Sequence, residues 1–182
     1  MALARRPQEE LPEIEIGRMR RRHLRRVMSI ESRVYPRPWS TSLFLSELAQ
    51  RSTRTYLVAR YEGEVVGYTG MMFMPGEAHV TNIAVHPEFH RMKIGTRLLL
   101  AIITEAVARG CGVISLEVRV SNGKAQEMYA KFGFSVVGVR KGYYIETNED
   151  ALVMTVENAA STEYRLRLGR IRAELDRLQG RR

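Results

Sequence analysis

Two strand–turn–helix units in direct succession constrain this chain more tightly than any other feature. In the first, Val80-Thr-Asn-Ile-Ala-Val85 reads as a strand and His86-Pro87 as a turn. A short basic loop follows, and an apolar helix over residues 95–109 opens at Gly95. In the second, residues 113–118 read as a strand, and a helix over residues 123–132 is closed by Gly133, the residue type favoured just past a helix end. Ala125, Met128, Tyr129 and Phe132 keep the spacing of three and four that a helical apolar face needs. Two such units imply a pair of parallel strands, since a crossover helix returns the chain in the same direction. A cofactor held between the ends of those strands is the expectation, with Glu117 and Tyr129 facing the gap.

The residues around the gap each admit two readings. A helix start at Gly95 with free backbone N–H groups, flanked by Arg91 and Lys93, suits a phosphate or pyrophosphate. The same residues also serve any turn into a helix. Glu117 is an acid inside an otherwise apolar strand. It reads either as a general base whose pKa burial raises, or as a paired Glu, with Arg119 on the same face two residues on. Tyr129 reads as a proton donor or as a core aromatic. Asn122 stands where a helix N-cap is expected.

In their order and spacing, Asn82-Ile-Ala-Val-His-Pro87, the loop ending at Gly95, Ser121-Asn122, Met128-Tyr129 and Phe132-Gly-Phe134 resemble the GCN5-related N-acetyltransferase (GNAT) superfamily. Pro38-Trp39-Ser40, Leu116-Glu-Val-Arg119, Tyr143-Tyr144 and Glu149-Asp-Ala-Leu-Val-Met154 resemble its RimI type. Enzymes of that type acetylate the N-terminal alanine of the eighteenth protein of the small ribosomal subunit. The resemblance covers roughly residues 14–156. It implies a mixed α/β GNAT fold: a mostly antiparallel sheet with a parallel strand pair splayed around acetyl-CoA, flanked by helices.

The resemblance also assigns roles. Glu117 becomes the general base and Tyr129 the general acid. Ile83, Ala84, Val85, Arg91, Met92, Lys93, Ile94, Gly95, Thr96 and Asn122 contact acetyl-CoA, the co-substrate. Trp39 and a loop carrying Tyr143 and Tyr144 meet the acceptor, a protein N-terminus. One departure stands out. The family's loop begins with Gln or Arg and carries Gly three residues on, whereas this chain has His90 and Lys93 there. If that position needs positive φ, Lys carries a steric cost that Gly avoids. The same fold also serves lysine or small-amine acetyltransferases, and a regulator that binds acetyl-CoA without catalysis is a reading of another class.

The acceptor chemistry can be argued from the groups alone. An α-amine titrates at about 7.7–8.0, so a carboxylate acting through water suffices near neutral pH. The thiol leaving group, with a pKa of about 8.5, gains only modestly from a proton donor. His79, His86 and His90 lack the spacing of a metal cluster, and no metal is expected.

With 182 residues, 45% of them hydrophobic, the chain has material for one ordinary core. No apolar run approaches a membrane span, residues 1–6 lack a signal-peptide core, and a lone Cys111 fits a reducing compartment. A cytoplasmic protein without membrane contact is expected. The net charge of +9 sits at the ends: residues 1–30 hold eight Arg and four acids, and residues 158–182 seven Arg and three acids. Such ends suit weak contact with RNA or an acidic partner, or simply solvated helix faces. The expected organisation is a flexible basic extension over residues 1–12, a catalytic domain over 13–158, and a basic amphipathic helix over 159–182. In that tail Tyr164, Leu168, Ile171, Leu175 and Leu178 form a narrow apolar seam suited to docking on the domain.

The remaining elements follow from periodicity. A short strand is expected over 13–18, a helix over 20–34, and a second helix after Ser40 as N-cap. A hairpin should span 55–61 and 64–73 about Glu62-Gly63, followed by a strand over 77–85 and last strands over 135–140 and 151–157.

Overall fold

A computed structural model describes residues 11–180. The first element of the described residues is β1 (Glu15–Arg18), then a 3-10 turn leads into α1 (Leu24–Val34). Apolar Leu24, Val27 and Ile30 bury one face of α1 while its arginines stay outside. Pro36 and Pro38 follow its end, and α2 (Thr41–Ala49) starts under a Ser40 cap whose hydroxyl accepts from the Leu43 N–H. The hairpin β2 (Arg54–Tyr61) and β3 (Glu64–Met74) turns through φ of 50° at Glu62 and 83° at Gly63. A two-residue primed turn needs that pair of positive angles. Then come β4 (Glu77–Val85), α3 (Ile94–Ala108), β5 (Val113–Arg119), α4 (Gly123–Lys131), β6 (Ser135–Tyr144), β7 (Glu149–Val156) and α5 (Thr162–Leu178).

Among the described residues one sheet runs in the order β1-β2-β3-β4-β5-β7-β6. All neighbours are antiparallel except β4 and β5, so the architecture is the mixed α/β fold expected. The parallel pairing is brief: Glu77 faces Val113, Ala78 faces Ile114, and His79 faces Ser115. Beyond His79 the strands part. The register shows why. Gly70 pairs with Asn82 and Met71 with Val80, which leaves Thr81 as an extra residue in β4. Such a bulge bends the strand that carries it and shifts its alternation. Ala78 and Val80 accordingly lie in the core shared with α3, whereas Ala84 lies in the core beneath α1 and α2.

Gly70, opposite this bulge, has no room for a side chain. An added Cβ would lie 2.2 Å from Cε1 of Tyr56 and 2.6 Å from Oδ1 of Asn82. Gly70→Ala is therefore expected to cost about 1–3 kcal/mol of stability, as overpacked cores do. Urea unfolding measures it directly, and an unshifted midpoint would show that the bulge tolerates a methyl group.

The tail helix α5 buries Tyr164, Leu168 and Leu175 and packs against α3. Leu11 donates its N–H to the Leu178 carbonyl at 2.8 Å, and Gln179 donates to the Pro12 carbonyl at 2.9 Å. Residues 1–10 of the expected extension lie outside the described residues. No described helix is long and apolar enough to cross a membrane.

One expected boundary needs correction. Tyr143 and Tyr144 do not lie in the loop between the last strands but end β6 itself. Lys141-Gly142 forms an interruption within the ladder. Pairing passes from Arg140–Ala151 to Tyr144–Glu149, with Gly142 at φ 58° and its N–H donated to Asp150.

Candidate active site

The gap opened between β4 and β5 is lined by backbone on one side. His86 donates its N–H to the Val66 carbonyl. By antiparallel alternation Ala84 then bonds toward β3, and Ile83 and Val85 turn their backbone groups toward the gap. Two of those carbonyls already have partners. The Tyr35 hydroxyl donates to the Ile83 carbonyl at 2.8 Å, and His90 Nε2 lies 3.2 Å from the Val85 carbonyl.

At the end of β4 the chain reaches α3 through two left-handed residues, Arg91 at φ 70° and Lys93 at φ 57°. The sequence predicted a cost at Lys93 if its φ were positive, and positive it is. Lys93 provides no side-chain cap, so the first N–H groups of α3, at Ile94, Gly95 and Thr96, keep their outward direction without a helical acceptor. A Cβ on Gly95 would meet nothing nearer than Met128 Sδ at 3.5 Å and Val85 Cγ2 at 3.9 Å. Gly95 thus leaves space over Val85 and Met128, beside the free N–H groups. That cradle fits a pyrophosphate, whose charge the helix dipole also favours.

On the other wall, Asn122 caps α4 by accepting from the Ala125 N–H at 3.2 Å. Tyr129 is buried with its ring against Phe134, and burial first, then the neighbouring Tyr144, pushes its hydroxyl pKa up. Tyr35, on the Ile83 carbonyl, is likewise raised by burial and lies close enough to feel Tyr129 and Tyr144.

Glu117 projects from β5 on the face opposite Ile114, Leu116 and Val118, which belong to the core. Its side chain is only 10% exposed, and two cations or donors hold it. His79 Nε2 lies 2.8 Å from Oε2, and Arg140 Nε lies 3.3 Å from Oε1. His79 Nδ1 in turn meets Ser115 Oγ at 2.8 Å. A neutral imidazole donating from Nε2 can only accept at Nδ1, so Ser115 then donates to it. This arrangement corrects two expectations. The partner of Glu117 is not Arg119, which instead pairs with Glu146 and Glu149 and lies over the Tyr144 ring. Nor is its pKa raised: the His79 hydrogen bond outweighs burial, and with Arg140 holds the carboxyl below the usual carboxylate range.

Tyr143 and Tyr144 stand edge to face near this cluster, with ring centroids 5.1 Å apart, and Glu117 contributes to raising both hydroxyls. Burial is the larger cause, and it takes Tyr144 to about 12. Trp39 packs on Phe44 and gives its backbone N–H to Glu31, a buried carboxyl that burial raises to about 6 and that also accepts from Tyr68. Sequence reasoning overlooked Tyr35, His79 and Arg140. His79 could have been found once β4 and β5 were paired in parallel, because that register sets it opposite Ser115. Among the described residues no group of three or more His, Cys, Asp or Glu could hold a metal ion.

Comparison with known proteins agrees with this geometry. Residues 24–134 match the acetyltransferase (GNAT) family. A Bacillus subtilis protein is 36% identical over 141 residues, covering 78% of this chain and 93% of its own. The [ribosomal protein bS18]-alanine N-acetyltransferase of Escherichia coli strain K12 is 34% identical over 129 residues, 70% of this chain and 86% of the relative. The crystal structure of the Escherichia coli ribosomal-protein-S18-alanine N-acetyltransferase superposes with a TM-score of 0.75 at 29% identity, covering 83% of this chain and 97% of that one. A splayed parallel pair, a helix start open to pyrophosphate and a family match over most of the domain agree, and the chain belongs to the GNAT acetyltransferases.

Proposed function

We propose that this enzyme transfers acetyl from acetyl-CoA to the N-terminal α-amine of a protein, with alanine first and the bS18-type ribosomal protein as acceptor. The observation that carries the chemistry is an ionised carboxylate, Glu117, fixed between His79 and Arg140 beside the opened strand pair. The relatives named for alanine acetylation support the acceptor. Bound acetyl-CoA supplies an activated acyl thioester. Backbone groups of Ile83 and Val85 hold its amide arm, residues Arg91 to Thr96 hold its pyrophosphate, and the Asn122 side-chain amide adds a contact.

Glu117 accepts the amine's proton through a water molecule. A depressed pKa makes a carboxylate a weaker base, but the N–H becomes far more acidic as nitrogen bonds to the acyl carbon. An always-ionised acceptor in a fixed place is then sufficient. His79 orients it, and Tyr129 retains its proton until the thiolate leaves. Trp39 braces the loop after α1, while Tyr143 and Tyr144 at the end of β6 flank the entering peptide. The domain over residues 13–158 performs this reaction in the cytoplasm, where its acceptor is made, with α5 as a docked tail.

Mass spectrometry of ribosomal-protein N-termini, from cells with and without this gene, tests the reading. The expected result is loss of one 42-dalton mass increment, roughly one acetyl group, on an alanine-initiated small-subunit protein. Unchanged N-termini with altered lysines would overturn it.

Lys93 offers a separate test. Left-handed backbone costs a residue with a side chain about 1–2 kcal/mol, and glycine's freedom in the unfolded chain takes back about 0.5–1 kcal/mol. Lys93→Gly is expected to be neutral or stabilising by about 1 kcal/mol, whereas Lys93→Ala keeps the strain. If the ammonium meets cofactor phosphate, both variants weaken acetyl-CoA binding and flatten its salt dependence. Unchanged affinity in both makes Lys93 a surface residue only.

A further inference from the structure

Some of the excess positive charge that the sequence places near the N-terminus lies on the exposed face of α1, at Arg25 and Arg26. The fold gathers another part around a cavity of 760 Å³ bounded by the β1–α1 connection, the end of α2, the start of β2 and the end of α3. Arg18, Arg20 and Arg21 from the first 30 residues meet Arg51, Arg54 and Arg109 there, against one lining carboxylate, Glu47. Three of the six are committed within the protein. Arg18 and Arg109 share Glu105 at 3.0 and 2.7 Å, and Arg54 holds Glu47 at 2.8 Å. Arg20, Arg21 and Arg51 are exposed and form no ion pair among the described residues.

We propose that this cleft binds the phosphodiester backbone of base-paired RNA. Arginine forks match phosphate oxygens in pairs, and three uncommitted ones around one concavity supply successive contacts. The committed three are held by Glu47 and Glu105 and form a fixed positive floor. The lining also says which RNA. Its aromatic ring, Tyr56, is buried and spends its hydroxyl on Glu47, so no platform exists on which unpaired bases could stack. A duplex needs none, since it is held through phosphates and sugar. An acidic peptide would gain only screened surface pairs, each worth little, without an aromatic anchor to fix it.

The placement leaves the acetyl-transfer site free. Arg109 follows the last turn of α3, and the cofactor cradle lies at the other end of that 15-residue helix, about 22 Å away by helical rise. RNA on the cleft and a peptide at Glu117 can be held together.

Fluorescence anisotropy with a labelled RNA hairpin tests the proposal, using the full chain and its Arg20→Ala/Arg21→Ala/Arg51→Ala variant. The wild type is expected to bind the hairpin, with a plot of log affinity against log salt that is steep and linear. The variant should flatten that slope by about 0.9 for each phosphate it no longer neutralises, about 2.7 in all, and weaken binding roughly tenfold or more. Arg51→Glu alone should weaken it further than Arg51→Ala, while acetyl transfer to a short peptide stays unchanged in every variant. Equal slopes in wild type and triple variant would overturn the proposal. So would tighter binding of single-stranded RNA or of a polyglutamate peptide, or competition by inorganic polyphosphate as effective as by unlabelled hairpin.

Discussion

Glu117→Gln is expected to lower kcat by about 10²–10⁴ near neutral pH while leaving acetyl-CoA affinity nearly intact. The amide keeps the shape of the carboxyl and a carbonyl for His79, but it cannot take a proton. The sign of the pH dependence follows from the partners of Glu117. Its carboxyl is held below the ordinary range, so it stays ionised across pH 6–9 and loses its charge only as pH falls through that lowered pKa. The rise in wild-type rate over pH 6–9 should therefore track the α-amine, at about 7.7–8.0, and not a carboxyl. His79→Ala removes the largest cause of the depression, so any acid limb of the profile should move to higher pH in that variant. Wild-type rates in Glu117→Gln across this range would remove Glu117 from the mechanism.

The second large effect is selectivity between amines. A lysine amine titrates at about 10.4, roughly 2.5 units above an α-amine, so presenting it neutral costs about 3.5 kcal/mol more. That difference corresponds to roughly 300-fold in rate if the site does nothing to offset it. Offsetting it would take a desolvated pocket that strips a proton from an ammonium. The Glu117 carboxylate works the other way, since a fixed negative charge favours the ammonium form of any amine beside it. A peptide with alanine first should therefore be acetylated at its α-amine about two orders of magnitude faster than at an internal lysine.

Much of the fold was legible because local chemistry decided it. Ser40 and Asn122 cap helices where their residue types and the following apolar spacing said they would. The Glu62-Gly63 hairpin and the strand over Glu77–Val85 also follow from local signals. The bulge at Thr81 was not legible, since a threonine in a strand looks the same paired or extra. Yet that one residue moves Ala84 to the other core and directs Ile83 and Val85 toward the gap.

The environment of Glu117 failed for a related reason. Its apolar neighbours in sequence spoke only of burial, whereas His79 and Arg140 arrive from β4 and β6 through pairings that a single strand does not encode. Tyr35 was hidden likewise, 48 residues from the carbonyl it meets.

Two synthetic peptides that begin with alanine and carry one internal lysine test the central claim most directly, one with its N-terminus free and the other blocked. Initial rates with acetyl-CoA are compared, and the modified position is read by fragment mass. The free peptide is expected to gain its acetyl group on the alanine nitrogen, and the blocked one to react about two orders of magnitude more slowly. Equal rates, with the label on lysine in both, would contradict N-terminal acetylation as the activity of this enzyme.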